Sequence, residues 1–233
     1  MTGIKNSSNL RKKPHVVGAV HSLGALRRAQ RIQEGMVDFL EIRVDNFAED
    51  PAPLLRALPK LRVPLLVTVR HPAEGGANRL GLTRRRELFA QFLPFATLID
   101  VEMRSFESCA SIIAEAQSKG VSVIASTHFF HSTPSAPRLQ EIVRQAKTAG
   151  ADCCKIAALA PTPAALGVLL DVLARKQPLP IAIMGMGVYG KISRLLLAQA
   201  GSVLNYGYLD QPNASGQWEA TVLTKRLAEV GQS

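Results

Sequence analysis

The chain has 233 residues, of which 47% are hydrophobic and 20% charged, proportions that are ordinary for a globular domain. No stretch of about 18 apolar residues occurs, so the sequence predicts no membrane-spanning helix. The formal net charge of +10 suits nucleic acid, a membrane surface or an anionic small molecule, but the chain has only 5% aromatic residues and no recognisable RNA-binding motif, which argues against a base-stacking surface.

The first 13 residues, MTGIKNSSNLRKK, are basic, and no apolar segment of a secretory signal follows them. We expect residues 1–13 to form a disordered basic tail and residues 14–233 to form a single domain, because no linker or low-complexity block interrupts them. Another group of cations, Arg84, Arg85 and Arg86, lies on a predicted helix and is interpreted as solvated surface charge.

Short runs rich in Val, Ile and Leu recur along the chain, and most are nearly continuous rather than alternating, which is typical of parallel strands covered on both faces. The eight runs are HVVGAV (15–20), DFLEIRV (38–44), PLLVTVR (64–70), TLIDVEM (97–103), VSVIAST (121–127), DCCKIAA (152–158), PIAIMGM (180–186) and SVLNYGY (202–208).

Helical patterns separate these runs, and several of them end on a glycine that can close the last turn. The predicted helices span 23–35, 82–93, 106–120, 135–150, 190–200 and 217–230. Strands alternating with helices predict an α/β fold, specifically a (β/α)8 TIM barrel in a single domain. A doubly wound sheet is the alternative, but no Gly-x-Gly-x-x-Gly follows the first strand.

Three cysteines, Cys109, Cys153 and Cys154, make an odd number. Since adjacent residues of a strand face opposite ways, Cys153 and Cys154 are poor disulfide partners, and we expect a reducing cytoplasmic environment. No cysteine or histidine pair has the spacing of zinc ligands, so no metal site is predicted.

Polar residues occur where the predicted strands end, and in a TIM barrel those ends form the active-site face. If the predicted register is right, ionisable side chains from most strands meet at one mouth. They are Glu41, Arg43, Asp45, Arg70, Glu74, Asp100, Glu102, His128, Lys155, Lys191 and Arg194.

Glu41 and Arg43 are two residues apart, so their side chains leave the same face of the strand. The pair is either a structural ion pair that plugs the barrel or a polar clamp for substrate hydroxyls. The sequence leaves both readings open.

Lys155 interrupts the apolar stretch GADCCKIAAL, residues 150–159. It is either a lysine that extends its amine to solvent from a strand end or a buried nucleophile. Burial and nearby arginines would favour the neutral amine, which can attack a ketone and form a Schiff base.

His128 ends the fifth run and would serve as a general acid and base if it faced Lys155, with Glu74 orienting it. An ordinary structural histidine is the alternative. His131, three residues later, competes for the same role.

Taken together, six short motifs resemble those of the type I 3-dehydroquinate dehydratase family over about residues 15–220. They are FLEIRVDNF (39–47), TVRHPAEGG (68–76), STHFFHSTPS (126–135), GADCCKIA (150–157), MGMGVYGKISR (184–194) and NASGQ (213–217).

The resemblance implies that this chain converts 3-dehydroquinate to 3-dehydroshikimate and water in the shikimate pathway, without a cofactor. It implies that Lys155 forms the imine, that His128 is the general acid and base, and that Glu74 pairs with His128. The remaining substrate-binding positions implied are Glu41, Arg43, Arg70, Met186, Arg194, Tyr206, Asn213 and Gln217.

The partners implied are a small anionic substrate and a second copy in a homodimer, with no nucleic acid and no membrane. Five positions depart from the family pattern: Asn46, Phe129, Gly185, Asn213 and Ser215. None of the five removes a reacting group, but they allow a slower enzyme or a shifted substrate preference.

Two other functions are compatible with the sequence. One is a class I aldolase or transaldolase-like barrel, which also uses a lysine imine, although no glycine-rich phosphate cradle follows the seventh strand. The other is a basic non-enzymatic binding protein, for which steeply salt-dependent binding to heparin would be the sign.

Overall fold

The structure is a computed structural model that describes Leu10 and residues 13–231. Eight parallel strands alternate with eight α-helices over residues 13–231. The strands are β1 (His15–Val20), β2 (Phe39–Arg43), β3 (Leu65–Thr68), β4 (Leu98–Glu102), β5 (Ser122–Phe129), β6 (Cys153–Leu159), β7 (Ile181–Met186) and β8 (Leu204–Tyr208). The helices are α1 (Leu23–Ala29), α2 (Ala52–Ala57), α3 (Leu82–Phe92), α4 (Ala110–Ser118), α5 (Ala136–Thr148), α6 (Pro163–Ala174), α7 (Gly190–Gln199) and α8 (Ala220–Val230).

The sheet curls into a nearly closed barrel. Each strand from β1 to β7 pairs in parallel with the next, and β8 pairs with β1. At the remaining seam the Val203 N–H donates to the Ile181 carbonyl at 2.9 Å. The predicted (β/α)8 TIM barrel is therefore confirmed.

The two faces of each strand serve different parts of the molecule. On β6 the residues Cys154 and Ile156 pack outward beneath the helices, whereas Cys153 lies in the cluster inside the barrel. Lys155 shares the inward face with Cys153 because side chains two apart leave a strand on the same side. The alternation thus carries Lys155 into the barrel, and the two adjacent cysteines do face opposite ways.

Residues at the N-terminal ends of the strands close the lower end of the barrel. Leu10 is buried within the interior cluster, which includes Val17 and Phe39. The Lys13 ammonium lies 2.6 Å from Asp38 Oδ1. The prediction of a disordered tail over residues 1–13 falls outside the described residues except for Leu10 and Lys13.

Truncating Leu10 should destabilise the fold. Leu10→Ala is expected to lower the free energy of unfolding by about 2–5 kcal/mol, because it opens a cavity in the barrel interior. Urea unfolding followed by circular dichroism measures this. The matched control is Leu23→Ala, since Leu23 is 50% exposed and should cost less than about 0.5 kcal/mol; equal losses in both variants would contradict the placement of Leu10.

Some predicted helices differ from the observed ones. Helix α1 ends at Ala29, and Gly35, with φ of +84°, lies in the following loop. Helices α2 and α6 were not among the predicted helices. Within residues 13–231 no helix has the length and apolar character needed to cross a bilayer.

Candidate active site

A cavity opens at the C-terminal ends of the strands. All eleven residues predicted from the sequence line it: Glu41, Arg43, Arg70, Glu74, His128, Lys155, Met186, Arg194, Tyr206, Asn213 and Gln217. Five lining residues were not predicted: Gly75, Phe130, Ala157, Met184 and Ala214. Gly75 and Ala214 each follow a predicted residue, and none of the five carries a reactive group that could have marked it.

Lys155 is buried at the base of this cavity, with 4% of its surface exposed. Its Nζ donates to Asp100 Oδ2 at 2.8 Å and lies 3.6 Å from Glu41 Oε1. The Tyr206 ring lies beneath it, with 4.0 Å between Nζ and the ring centroid. Lys155 therefore does not extend to solvent.

These contacts correct the expected electrostatics of Lys155. Arginines were expected beside the amine, but the charged groups in contact with Nζ are the carboxylates of Glu41 and Asp100. Arg70 stands behind Asp100, with two hydrogen bonds of 2.8 and 2.9 Å to that carboxylate. Burial alone would raise the pKa of Asp100, but the charges of Arg70 and Lys155 lower it well below 3.8.

His128 lies at the end of β5 and is held by Glu74. Glu74 Oε2 lies 2.9 Å from His128 Nδ1 and accepts the His128 backbone N–H at 3.0 Å. Burial and the charges of Arg70 and Lys155 hold the pKa of the His128 imidazole well below 6.5. With Nδ1–H donating to Glu74, neutral His128 has the lone pair of Nε2 free to accept a proton.

Glu74 comes to His128 on a short 3₁₀ turn, Pro72–Glu74, which Gly75 closes with φ of +83°. Burial raises the pKa of Glu74 to about 7, and the nearby Glu102 carboxylate acts in the same direction. Arg104, whose Nε lies 3.1 Å from Glu74 Oε1, partly offsets this shift.

The raised pKa of Glu74 predicts a pH dependence. Activity should rise as the pH passes through about 7, because ionised Glu74 is the form that accepts the Nδ1–H of His128. The folded state binds this proton more tightly than the unfolded chain, so the contribution of Glu74 to the free energy of unfolding falls between about pH 4.5 and 7. Steady-state kinetics and urea unfolding across this range measure both effects.

Glu74→Gln is the control for this prediction, because glutamine keeps the shape of the side chain and does not titrate. The variant should lose the activity limb near pH 7. An unchanged pH profile in the glutamine variant would assign that limb to another group.

His131, the rival histidine, is exposed and is not among the residues that line the cavity. Phe130 lies between the two histidines, and its ring stacks on that of His128 with 6.1 Å between centroids. The structure therefore places His128, and not His131, at the mouth with Lys155.

Glu41 and Arg43 share a face of β2, but they do not pair with each other. Arg43 makes two hydrogen bonds to Asp45, of 3.0 and 2.8 Å. Glu41 Oε1 accepts from Thr68 Oγ1 at 3.0 Å and faces Lys155. The structural alternative of a direct Glu41–Arg43 ion pair is therefore wrong.

Arg70 lines the cavity, but both its terminal nitrogens are already engaged. Nη1 donates to Asp100, Glu102 and Ser126 at 2.9, 2.9 and 2.7 Å, and Nη2 donates to Asp100 at 2.8 Å. The sequence predicts that Asp100 and Glu102 lie on a strand that ends at the mouth, but it assigns no role to either. An acidic residue in the middle of an apolar strand was the signal that could have found them.

Arg194 is also buried, yet no acidic side chain pairs with it among the described residues. Its Nε and Nη1 donate to four backbone carbonyls, those of Gly185, Gly190, Tyr206 and Gly216, at 2.7–3.1 Å. Burial lowers the pKa of Arg194 to about 10, which leaves it cationic at neutral pH. An uncompensated guanidinium at a cavity wall is suited to bind an anion.

The loop after β8 covers this end of the cavity. Gly216 adopts φ of +77°, and a Cβ on it would lie 2.4 Å from the Gly187 carbonyl oxygen, so only glycine fits. Gln217 Oε1 accepts the backbone N–H groups of Asn213 and Ala214 at 3.0 and 3.3 Å. These bonds fix the amide orientation, so Gln217 Nε2 is the group left for a ligand in the cavity.

Met186 and Tyr206 supply the apolar part of the wall. The Tyr206 hydroxyl is buried and has no hydrogen-bond partner in the part of the chain that the structure describes. Burial raises the pKa of Tyr206 well above 10, so the hydroxyl stays neutral.

A model of the type I 3-dehydroquinase family matches residues 17–233. This chain belongs to the type I 3-dehydroquinase family. The 3-dehydroquinate dehydratase of Thermodesulfovibrio yellowstonii is 33% identical over 184 residues, covering 77% of this chain and 80% of that protein. The catabolic 3-dehydroquinate dehydratase of Acinetobacter baylyi is 30% identical over 220 residues, covering 88% of this chain and 81% of that protein.

The fold agrees with this family as well. The crystal structure of 3-dehydroquinate dehydratase from Geobacillus kaustophilus is similar with a TM-score of 0.85, at 28% identity. The match covers 94% of this chain and 92% of that one.

The structure explains one departure from the family pattern. A Cβ at Gly185 would lie about 3.1 Å from both Cβ and Oγ of Ser193, so a serine would not fit at position 185 without a shift. Ser193 Oγ already accepts the Gly185 N–H at 3.0 Å. In this type I 3-dehydroquinase, Ser193 of α7 therefore supplies the hydroxyl beside β7 that a serine at position 185 would otherwise supply.

The other four departures have different surroundings. Phe129 packs against the outer core and Ser215 accepts the Gly187 N–H through its carbonyl, at 3.2 Å. Asn213 lines the cavity with a backbone N–H that Gln217 already binds. Nothing in the structure explains Asn46.

Proposed function

We propose that this chain is a hydro-lyase that converts 3-dehydroquinate to 3-dehydroshikimate and water through an imine at Lys155. The observation that carries the proposal is a buried amine and a Glu74-oriented His128 in one cavity with Arg194, which has no acidic partner among the described residues. Family membership supports the same substrate.

The charges around the cavity favour a ligand with one carboxylate. Arg43 is paired with Asp45, and Arg70 and Lys155 both contact Asp100. Arg194 is the cavity cation without an acidic partner among the described residues. The carboxylate of 3-dehydroquinate would bind there, with Gln217 Nε2 as a further donor.

Imine formation begins when Lys155 gives up a proton, and neutral His128 is the nearby base that can take it. The free amine attacks the C3 carbonyl, and protonated His128 then returns its proton to the adduct hydroxyl, which leaves as water. This step gives a protonated imine and restores neutral His128. Asp100 and Glu41 then face a cation again, so they stabilise the imine in its protonated form. That form is the electron sink that the reaction needs.

The protonated imine acidifies the neighbouring C2–H. Nε2 of His128 accepts this proton, and the electrons of the C–H bond move toward the imine nitrogen. The electrons then return to expel the C1 hydroxyl, which takes a proton from His128 and leaves as water. Hydrolysis releases 3-dehydroshikimate and restores Lys155, so no cofactor enters the cycle.

Arg194 should control the affinity for the substrate. Arg194→Lys keeps the charge but loses the forked geometry, so KM should rise about 10–100-fold while kcat changes much less. Steady-state kinetics measure both constants. The control is Lys191→Met, because Lys191 is exposed on the same helix, where it lies over Trp218, and its loss should leave KM within about threefold.

An assay for the enone product tests the proposed reaction. Purified protein given 3-dehydroquinate should produce the absorbance of the conjugated 3-dehydroshikimate enone. Turnover of sugar phosphates with no enone formed would favour the aldolase-like alternative instead.

We further propose that the enzyme acts in the cytoplasm as a homodimer, in the shikimate route to aromatic amino acids, and that it binds neither nucleic acid nor membranes. The cysteines Cys109, Cys153 and Cys154 are free and buried, which suits a reducing compartment. Sedimentation equilibrium tests the dimer. Retention on heparin at 0.15 M salt would contradict the proposal that the enzyme does not bind nucleic acid.

A further inference from the structure

Helix α3 carries three consecutive arginines that have different environments. Arg84 and Arg86 are exposed, whereas Arg85 is 1% exposed, so the expectation that all three are surface charges is wrong for Arg85. The helix directs Arg85 toward the barrel. There its guanidinium contacts polar atoms of one residue that precedes β4, one that ends β4 and one that follows β4.

Arg85 makes three hydrogen bonds in this position. Its Nε donates to the Val69 carbonyl at 3.0 Å, and its Nη1 donates to Ser105 Oγ at 3.0 Å. Its Nη2 donates to Glu102 Oε2 at 2.5 Å. A cation that is buried and bonded to this extent has one fixed geometry.

The contacts continue from Arg85 to the amine of Lys155. Glu102 Oε1 accepts from Arg70 Nη1 at 2.9 Å, and Arg70 holds both oxygens of Asp100. Asp100 accepts from Lys155 Nζ at 2.8 Å. Cations and carboxylates therefore alternate without a break from α3 to the cavity, and Arg85 itself is not among the residues that line it.

The charges of this buried cluster balance. Its cations are Lys155, Arg70 and Arg85, and its carboxylates are Glu41, Asp100 and Glu102, all between 0% and 4% exposed. Removing one member leaves a net charge in a region with little water to screen it. Two further groups interact with Lys155, His128 on β5 through its charge and Tyr206 on β8 through its ring.

We propose that Arg85 is a positioning residue: through Glu102 and Arg70 it holds Asp100 against Lys155, and its charge sets how readily the amine becomes free to react. This inference rests on the proposed imine chemistry of Lys155. It assigns a role in the reaction to a residue that does not contact the cavity.

The test is the pH dependence of borohydride trapping with 3-dehydroquinate, measured as the rate at which the reduced adduct forms. Arg85→Met leaves an extra negative charge that holds the ammonium, so the profile should move about one pH unit to alkaline, with trapping at pH 7 about tenfold slower. Glu102→Gln should move the profile in the opposite direction. The double variant should return it close to that of the parent.

Two further variants separate charge from packing. Arg85→Lys keeps the positive charge, so its pH profile should stay near the parent profile even if kcat falls. Arg86→Met removes the same charge from an exposed neighbouring position and should leave the profile unchanged. If Arg85→Met does not fold, Glu102→Gln and Arg85→Lys still test the electrostatic effect.

The outcomes distinguish this inference from the proposed function. No adduct on Lys155 in the parent protein would overturn the proposed function itself. An adduct in the parent, with profiles that do not move in Arg85→Met and Glu102→Gln, would overturn the role of Arg85 alone. Opposite shifts that cancel in the double variant would establish that role, because a purely structural residue would not show such compensation.

Discussion

Replacing Lys155 with methionine should lower the dehydration rate by about 10⁴-fold or more, because no other described residue that lines the cavity carries an amine able to form the imine. Methionine has a similar length and is apolar, and Asp100 keeps its two hydrogen bonds to Arg70. The fold should therefore survive. The enone assay measures the loss, and circular dichroism checks the fold.

Lys191→Met is the matched control for this result. Lys191 follows Gly190 at the start of α7, where its ammonium lies over the partly buried Trp218 ring, and it is not among the residues that line the cavity. Its replacement should leave the rate within about threefold of the parent. Comparable losses in the two variants, or a well-folded Lys155→Met protein with normal activity, would exclude Lys155 as the nucleophile.

His128→Ala should reduce kcat by about 10²–10⁴-fold, because the variant lacks the base for the C2 proton and the acid for the departing hydroxyl. Imine formation should persist more slowly, since water can replace His128 in removing the lysine proton. Single-turnover trapping with borohydride should therefore still give an adduct in a variant that hardly dehydrates. The two rates together show which step the histidine serves.

The control is His131→Ala. His131 is exposed outside the cavity, and its loss should change kcat by less than about twofold. If His131→Ala is the damaging change and His128→Ala is mild, the assignment of the general acid and base is wrong.

The barrel could be predicted because local rules decide it. Eight apolar runs of six or seven residues have the composition of buried parallel strands, and each observed strand overlaps one of them. The site residues could be predicted for the same reason, because a side chain at the C-terminal end of a strand lies at the C-terminal mouth of the barrel. The apolar neighbours of Lys155 predicted its strand, but they left open whether its amine extends to solvent or is buried.

The helices that the sequence did not reveal lack a local signal. Helix α6 reads PAALGVLLDVLA, which is apolar around most of its circumference and contains a glycine, so it shows little amphipathic pattern. Its start was detectable, because the Thr162 side chain accepts the Ala165 N–H and Pro163 occupies the first turn. Helix α2 is only six residues long.

The partners of the charged residues could not be predicted, because they come from strands far apart in the chain. Lys155 meets Asp100, which is 55 residues away, and Arg70 meets the same carboxylate from 30 residues away. Arg85 differs from its neighbours Arg84 and Arg86 only in the direction in which the helix points it. Charge patterning along the sequence describes residue types, whereas pairing depends on tertiary contacts.

The central claim is that the amine of Lys155 forms the covalent bond with the substrate. Borohydride reduction in the presence of 3-dehydroquinate, followed by proteolysis and mass spectrometry of the peptides, tests it directly. The reduced adduct should lie on the peptide that contains Lys155, and it should be absent from Lys155→Met protein. An adduct on a different lysine, or turnover that is insensitive to borohydride, would contradict the account.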